Sequence, residues 1–358
     1  MIVQRDTSLT GSIRYRLLLI LLVIGAGVAL VITLIAVQST KEQGEMAAHL
    51  SAQALKEQVE TYQLQITERN ANENDLALEQ VRLSAQSLAQ YAAAVFDDPQ
   101  AFPAPEYWKF TEHMFEGNDG QFLNGETDLT SVFVPYFKPV DARVIRDVEL
   151  GAYLEYPMKS SYESNKNITA IYFATPNEVT RYYPNVQLGL LVQPDFQATQ
   201  RIWYLQVVPE NNPKGDAQWS PVYIDATGLG LVTTASAPAI NQAGDFVGVV
   251  GFDITLTDMT TSIEATRVLE NGYTFLIDQS GQSVALPAQG YQDILEREYP
   301  EGEASALLSE ITTSFAVVID AMLQGQIGFQ QVEVKGEVLN VAYAPLKNTG
   351  WSMGTVVR

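Results

Sequence analysis

The sequence predicts an α+β protein. Two stacked modules built on antiparallel sheets lie behind one long N-terminal helix, and a single transmembrane helix leads into it. Three observations predict this. Leu17 to Val37, "LLLILLVIGAGVALVITLIAV", contains no charge. The stretch from Thr40 to Phe96 has almost no Gly or Pro and many Ala, Glu, Gln and Leu, which are strong helix formers. Beyond it, a unit of hairpin, helix and hairpin-rich strands occurs twice.

The apolar run matches the roughly 20 residues that cross a bilayer. A signal-peptide core is shorter and ends at a small-residue cleavage site, whereas "VQSTKEQ" follows here, so the helix is expected to stay uncleaved. Arg5, Arg14 and Arg16 precede it against a single Asp6. The positive-inside rule therefore places 1–16 in the cytoplasm, 17–37 in the membrane, and the large acidic remainder outside the cell or in the periplasm. No second span is expected before "GWSMGTVVR". The chain is either single-pass or a longer one cut before its second span.

Residues 38–97 read as a stalk helix. Val81, Ala85, Leu88, Ala92 and Val95 recur at steps of four and three, giving one apolar stripe. It serves packing on its own domain, homodimerisation, or both. The polar run "NANEND" predicts a break or an exposed stretch. Prolines 99, 103 and 105 end the helix. Residues 98–165 read as loop-rich; "GNDGQFLNGETD" lacks EF-hand spacing, and "NIT" at 167–169 is a glycosylation sequon that matters only in a cell that glycosylates. Strands are predicted in "ITAIYFAT", "WSPVYID", "GLVTTASAPAI" and "FVGVVGFDITL", with a short helix from Trp203 to Pro209, a hairpin loop at "NQAGD" and a helix over "DMTTSIEATRVLE". The pattern restarts with the hairpin "GYTFLIDQSGQSVALP". A helix over Glu303–Gln324 follows, with Leu308, Ile311, Phe315, Val318 and Met322 on one face and Gly325 past its end. Three more strands turn at Lys335-Gly336 and Asn348-Thr349-Gly350. The outer part divides into a membrane-distal module, 98–258, and a membrane-proximal one, 259–358.

Composition excludes several functions. Cysteine is absent and only two histidines occur, so a thiolate nucleophile, a Cys-ligated metal and a His-based triad are not expected. A net charge of −21 and a pI near 4.4 argue against nucleic acid as a partner, which needs clustered Lys and Arg. No nucleophile elbow or metal-ligand spacing appears, so neither an enzyme nor a cofactor is expected.

Residues 201–204, "RIWY", and 223–225, "YID", carry the candidate site. In "GVVGFDITL", Val250, Phe252 and Ile254 share one strand face, and Val249, Gly251 and Asp253 share the other. A carboxylate in an apolar strand is costly to bury unless paired. Gly251 leaves open volume beside Asp253, which suits a ligand cation, though a protein Lys or Arg could equally pair with the acid. Tyr223 and Asp225 point one way from their strand, or Asp225 simply hydrogen-bonds its own turn. Arg201 can grip a carboxylate with two parallel N–H bonds, Trp203 adds an indole donor and an apolar wall, and Tyr204 adds a hydroxyl. Together these complement a zwitterion, although aromatics at such spacing are more often core.

At these residues the chain resembles the double Cache family of bacterial extracytoplasmic sensors, over roughly Thr40 to Val357. The shared features are the transmembrane helix running into a long helix, two PAS-like modules, the strand ending "GVVGFDI", and the stretches "GYTFLIDQSGQSVALP" and "NTGWSMGTVV". An amino-acid-binding subset of that family carries Arg-x-Trp-Tyr, then Tyr-x-Asp, then a later Asp. The resemblance implies that Arg201 and Trp203 hold a ligand carboxylate, that Tyr223, Asp225 and Asp253 hold the α-ammonium, and that Tyr204 lines the pocket. Phe196 departs from the pattern, which has Tyr there. The lost hydroxyl is worth about 1–2 kcal/mol unless Tyr182 or Tyr183 replaces it. The expected function is a transmembrane receptor's sensing domain for a small molecule, an amino acid in the first reading. The alternatives are an amine sensor or an interaction ectodomain with no small ligand. A kinase, cyclase, phosphatase or chemotaxis output would belong to a longer chain.

Overall fold

The computed structural model describes residues 8–265, 272–300 and 305–358. A single helix, α1, runs from Ser8 to Asp97. Its N-terminal part contains an 18-residue window of mean hydropathy 3.1 with none of it buried, long and apolar enough to cross a membrane. Met1–Tyr62 and Gln63–Arg358 are separate compact units. The second unit carries both sheets.

Among the described residues, nine strands form the first sheet: β1 (Met114–Glu116), β2 (Phe122–Asn124), β3 (Ser131–Val134), β4 (Ala170–Ala174), β5 (Thr180–Tyr183), β6 (Gln218–Trp219), β7 (Tyr223–Ile224), β8 (Leu231–Ile240) and β9 (Phe246–Thr255). Their order is β1-β2-β3-β5-β4-β9-β8-β6, with β7 also on β8. Five strands form the second: β10 (Gly272–Ile277), β11 (Ser283–Ala285), β12 (Gly328–Val334), β13 (Glu337–Pro345) and β14 (Ser352–Val357), in the order β11-β10-β14-β13-β12. Every pairing is antiparallel. Lys335 and Gly336 both take positive φ, 53° and 84°, the conformation a two-residue hairpin turn needs.

The apolar stripe of α1 does what its spacing implies. Val81, Ala85, Leu88, Ala92 and Val95 are buried against Ile171, Phe173, Val250, Phe252 and Ile254 of the first sheet. Leu276, Leu346, Trp351 and Met353 of the second sheet's region belong to the same cluster, so one core joins both sheets to the helix. A second cluster, including Phe275, Phe315, Val341 and Tyr343, fills the other side of the second sheet.

Four expectations are corrected. "NANEND" does not break α1 and is exposed only at Asn72 and Glu73; Asn70, Ala71 and Asp75 are buried, and Asp75 ties the helix to the β13–β14 turn. The stretch 98–165 holds β1–β3, a one-turn helix at Phe110–His113 and two ten-residue helices, Ala142–Gly151 and Glu155–Ser164. Asp141 starts the first of these two by accepting from the N–H groups of Arg143 and Val144. "WSPVYID" is two short strands, since Pro221 offers no N–H to the ladder. Of the helix predicted over Glu303–Gln324, residues 303–304 lie outside the described residues, and only a turn at Leu308–Glu310 and a helix at Ala316–Leu323 form. The backbone before them is taken by strand-like bonds: Ser283 N–H donates to Ala306 O, and Leu308 N–H to Gly281 O. The end of the helix predicted over "DMTTSIEATRVLE" also lies outside the described residues. Its observed part is Leu256–Ala265.

Candidate ligand-binding site

β9 has one face in the α1 core and the other toward a cleft. The alternation puts Val250, Phe252 and Ile254 in the core and Val249 among the residues that pack under the cleft. Asp253 shares the cleft side and is fully buried. Its neighbours come from register. Tyr172 of β4 pairs with Gly251, Tyr182 of β5 pairs with Tyr172, and Thr234 of β8 pairs with Asp253.

The space beside Gly251 is filled by protein. A Cβ at Gly251 would lie 2.2 Å from the ring of Tyr172. That ring stacks on Tyr182 at 5.7 Å and meets Trp203 at 4.6 Å. Its hydroxyl donates to Asp253 Oδ1 at 2.7 Å, and Thr234 Oγ1 bonds the same oxygen at 2.6 Å. Tyr223 OH lies 2.7 Å from Thr234 Oγ1. Thr234 has one proton and spends it on the carboxylate, so Tyr223 must donate to Thr234. Asp253 Oδ2 has no partner among the described residues. Burial, with the charge of Asp225 adding to it, pushes the Asp253 carboxyl up to about 7 against the bonds from Thr234 and Tyr172. Burial likewise raises the phenols of Tyr172 and Tyr223.

A small cleft lies over this layer, lined by Arg201, Trp203, Tyr223, Asp225 and Phe196 together with Tyr172, Thr180, Tyr182, Leu188, Val192, Ala226 and Thr227. Five of the seven sequence-chosen residues thus meet at one place. Asp253 stands one layer behind, covered by Tyr172 and Thr234. Tyr204 does not line the cleft: its ring packs between Trp203 and Phe246, and its buried hydroxyl finds no partner among the described groups. Of the two tyrosines that could replace the hydroxyl missing at Phe196, Tyr182 lines the cleft, whereas Tyr183 packs with the α1 core beside Tyr162.

Each end of the cleft has its own chemistry. Arg201 Nη2 donates to Ile224 O at 3.0 Å, and its guanidinium carbon lies 5.6 Å from the Tyr223 ring and 5.9 Å from that of Phe196. Asp225 Oδ2 accepts from the N–H of Thr227 at 2.7 Å, the N–H of Leu229 at 3.2 Å and the Thr227 hydroxyl. The turn reading of Asp225 therefore holds for that oxygen, while the residue still borders the cleft. The segment bearing Arg201 is held from below: Glu178, at φ 61°, accepts from the N–H and the hydroxyl of Thr199.

The sequence reading did not single out Tyr172. The available signal was a polar ring between Ile171 and Phe173 on a strand, opposite a glycine.

Comparison with known proteins agrees with this architecture. Residues 142–261 match the family described as methyl-accepting chemotaxis protein-like, first PDC sensor domain. The ligand-binding domain of the Pseudomonas aeruginosa amino acid chemoreceptor PctB, in complex with L-Arg, superposes with a TM-score of 0.51 at 18% identity, over 84% of this chain and 95% of that one. The chain shares the fold of that ligand-binding domain. A second structure, the ligand-binding domain of the Pseudomonas fluorescens chemoreceptor CtaA with L-serine, gives a TM-score of 0.51 at 18% identity, covering 84% and 98%. Among curated proteins, the mouse voltage-dependent calcium channel subunit alpha-2/delta-2 is 25% identical over 164 residues, 39% of this chain and 14% of that protein. The Bacillus subtilis methyl-accepting chemotaxis protein TlpA is 20% identical over 276 residues, 76% of this chain and 36% of its own length. The chain thus spans well under half of these curated relatives.

Proposed function

We propose that this protein is the extracytoplasmic sensing part of a membrane-anchored receptor and that it binds a small zwitterion, an amino acid, in the cleft of the first sheet. One observation carries this reading: a guanidinium, Arg201, and a carboxylate, Asp225, border the same small aromatic cleft, with a second carboxylate, Asp253, behind its hydroxyls. Arg201 suits a ligand carboxylate, which it can meet with parallel N–H bonds. The phenols and Asp225 suit an ammonium. The complexes of PctB with L-Arg and of CtaA with L-serine support the same ligand class. In this reading 98–258 is the ligand-binding, membrane-distal module and 259–358 the membrane-proximal one. The α1 stalk, paired in a homodimer, carries the signal inward, and a ligand shifts that equilibrium only by its differential affinity for two states.

One observation favours an amine ligand instead. Phe196 puts an apolar ring 5.9 Å from the Arg201 guanidinium, where a hydroxyl would serve a carboxylate. A thermal-shift screen of the full chain in detergent, against amino acids, biogenic amines and organic acids, separates the readings. Stabilisation by an amino acid, abolished by Arg201→Ala and strengthened by Phe196→Tyr, is expected. Stabilisation by an amine that survives Arg201→Ala would replace the amino acid with an amine. Silence across the panel would leave an interaction ectodomain.

A further inference from the structure

Resting on that reading of the cleft, we infer that Tyr172 determines specificity: it closes the floor of the cleft over Asp253, so the ligand's ammonium is received on the oxygens of Tyr172 and Tyr223 rather than on the carboxylate. The ligand class that follows is a small amine-bearing zwitterion whose cationic head stops at the phenol layer.

Three facts support this. Tyr172 fills the volume that Gly251 provides, and rings on both sides hold it there. Its hydroxyl occupies Asp253 Oδ1 together with Thr234. And the cleft is lined by Tyr172 and Tyr223 but not by Asp253. The proton order completes the argument. An ionised Asp253 accepts only, so Tyr172 and Thr234 both donate to it, and Tyr223 donates to Thr234. Each phenol proton points inward, which leaves phenol lone pairs for a donor in the cleft. An ammonium brings three donors and no acceptor. The buried charge acts on it through two oriented hydroxyls.

The same order couples binding to pH. A protonated Asp253 no longer places a negative charge behind the hydroxyls, while a bound cation favours its charged form. The groups that face Asp253 are Tyr172 from β4, Tyr182 from β5, Thr234 from β8, and Tyr223 and Asp225 on and beside β7. Burial keeps these phenols protonated through neutral pH, so Asp253 is the group whose titration reaches the cleft in that range.

The test is calorimetric titration of the full chain in detergent with whichever L-amino acid stabilises it best, for wild type, Tyr172→Phe, Thr234→Val and Asp253→Asn, from pH 5.5 to 8. Tyr172→Phe keeps the ring and removes the oxygen. A hydrogen bond to a charged group is worth roughly ten- to a hundredfold, so Kd should rise by that factor in this variant and somewhat less in Thr234→Val. Wild-type Kd should weaken by up to about tenfold per unit below pH 7, and Asp253→Asn should remove that slope. If Tyr172→Phe keeps its melting temperature and binds as tightly as wild type, Tyr172 does not receive the ammonium and the inference fails while the zwitterion reading stands. If no amino acid binds wild type, both fail. A wild-type Kd that is flat with pH overturns the role given to Asp253.

Discussion

Asp75, three-quarters of the way along α1, accepts from three donors of the β13–β14 turn. Its oxygens lie 3.0 and 3.1 Å from Asn348 N, 2.9 Å from Asn348 Nδ2 and 3.2 Å from Thr349 N. About two to three turns further along the same helix, Gln86 Oε1 accepts from Ala217 N at 2.8 Å and Arg82 Nη1 donates to Ala217 O at 3.2 Å, just before β6. A single helix is thereby pinned to both sheets, at the start of β6, which shares its partner strand β8 with β7, and at the β13–β14 turn.

Asp75→Ala removes a buried acceptor and leaves two backbone N–H groups of the turn without it. The cost is expected at about 2–3 kcal/mol, a drop of several degrees in melting temperature. Asp75→Asn keeps one oxygen and should lose less. A melting temperature for Asp75→Ala within a degree of wild type would show that the contact adds nothing to stability.

Gly251→Ala tests the packing under the cleft. The new methyl would meet Tyr172 at 2.2 Å, and that ring has Tyr182 on one side and Trp203 on the other. Overpacking of this kind costs about 1–3 kcal/mol. Because the displaced hydroxyl also leaves Asp253, amino-acid binding should fall with it. Unchanged binding in a variant that has lost stability would mean that Tyr172 can move without consequence for the ligand.

These two positions also show what could and could not be seen in the sequence. The α1 stripe and the two faces of β9 are local periodicities, and burial follows them. Arg201, Trp203, Tyr223 and Asp225 were visible as donors and acceptors suited to one ligand, and they do border one cleft. Gly251 was visible as missing volume, but not as volume for Tyr172, because the β4–β9 register that joins them is a long-range pairing. Asp75 was hidden in a polar run, since its donors sit at 348–349. The helix expected from Glu303 onward had a sound apolar period. Its N–H groups were claimed by the strand-like edge beside Ser283, which no local period reveals.

The back of β5 offers a further test. Thr180 and Tyr182 line the cleft, and Arg181 between them points the other way, fully buried. Its Nη1 bonds Glu155 Oε1 and Thr130 Oγ1, each at 2.7 Å, its Nη2 bonds Val148 O, and its guanidinium lies 4.5 Å from the ring of Trp108. Glu155→Gln strands that charge, and about 3–5 kcal/mol of stability should go with it. Replacing both, Arg181→Met with Glu155→Leu, should recover most of the loss. A single variant as stable as wild type would mean that Arg181 sheds its charge or reaches water.

The pH profile of stability reports on Asp253. Its carboxyl is pushed up to about 7 in the folded protein from an ordinary 3.8. Between those values the folded chain holds a proton that the unfolded chain has released. Stability then falls as pH rises through that window and is fully present below it. Each pH unit of the window carries at most about 1.4 kcal/mol. Asp253→Asn keeps an oxygen for Tyr172 and Thr234 but does not titrate. Comparing the two proteins cancels the other carboxylates, so the variant's melting temperature should gain on wild type steadily from pH 4 to pH 7 and level off above. An added amino acid should shrink that gain for wild type near pH 7, because a bound ammonium favours the charged Asp253. A constant difference from pH 4 to pH 8 would show that Asp253 is ionised throughout, and the coupling of ligand to proton would have no source.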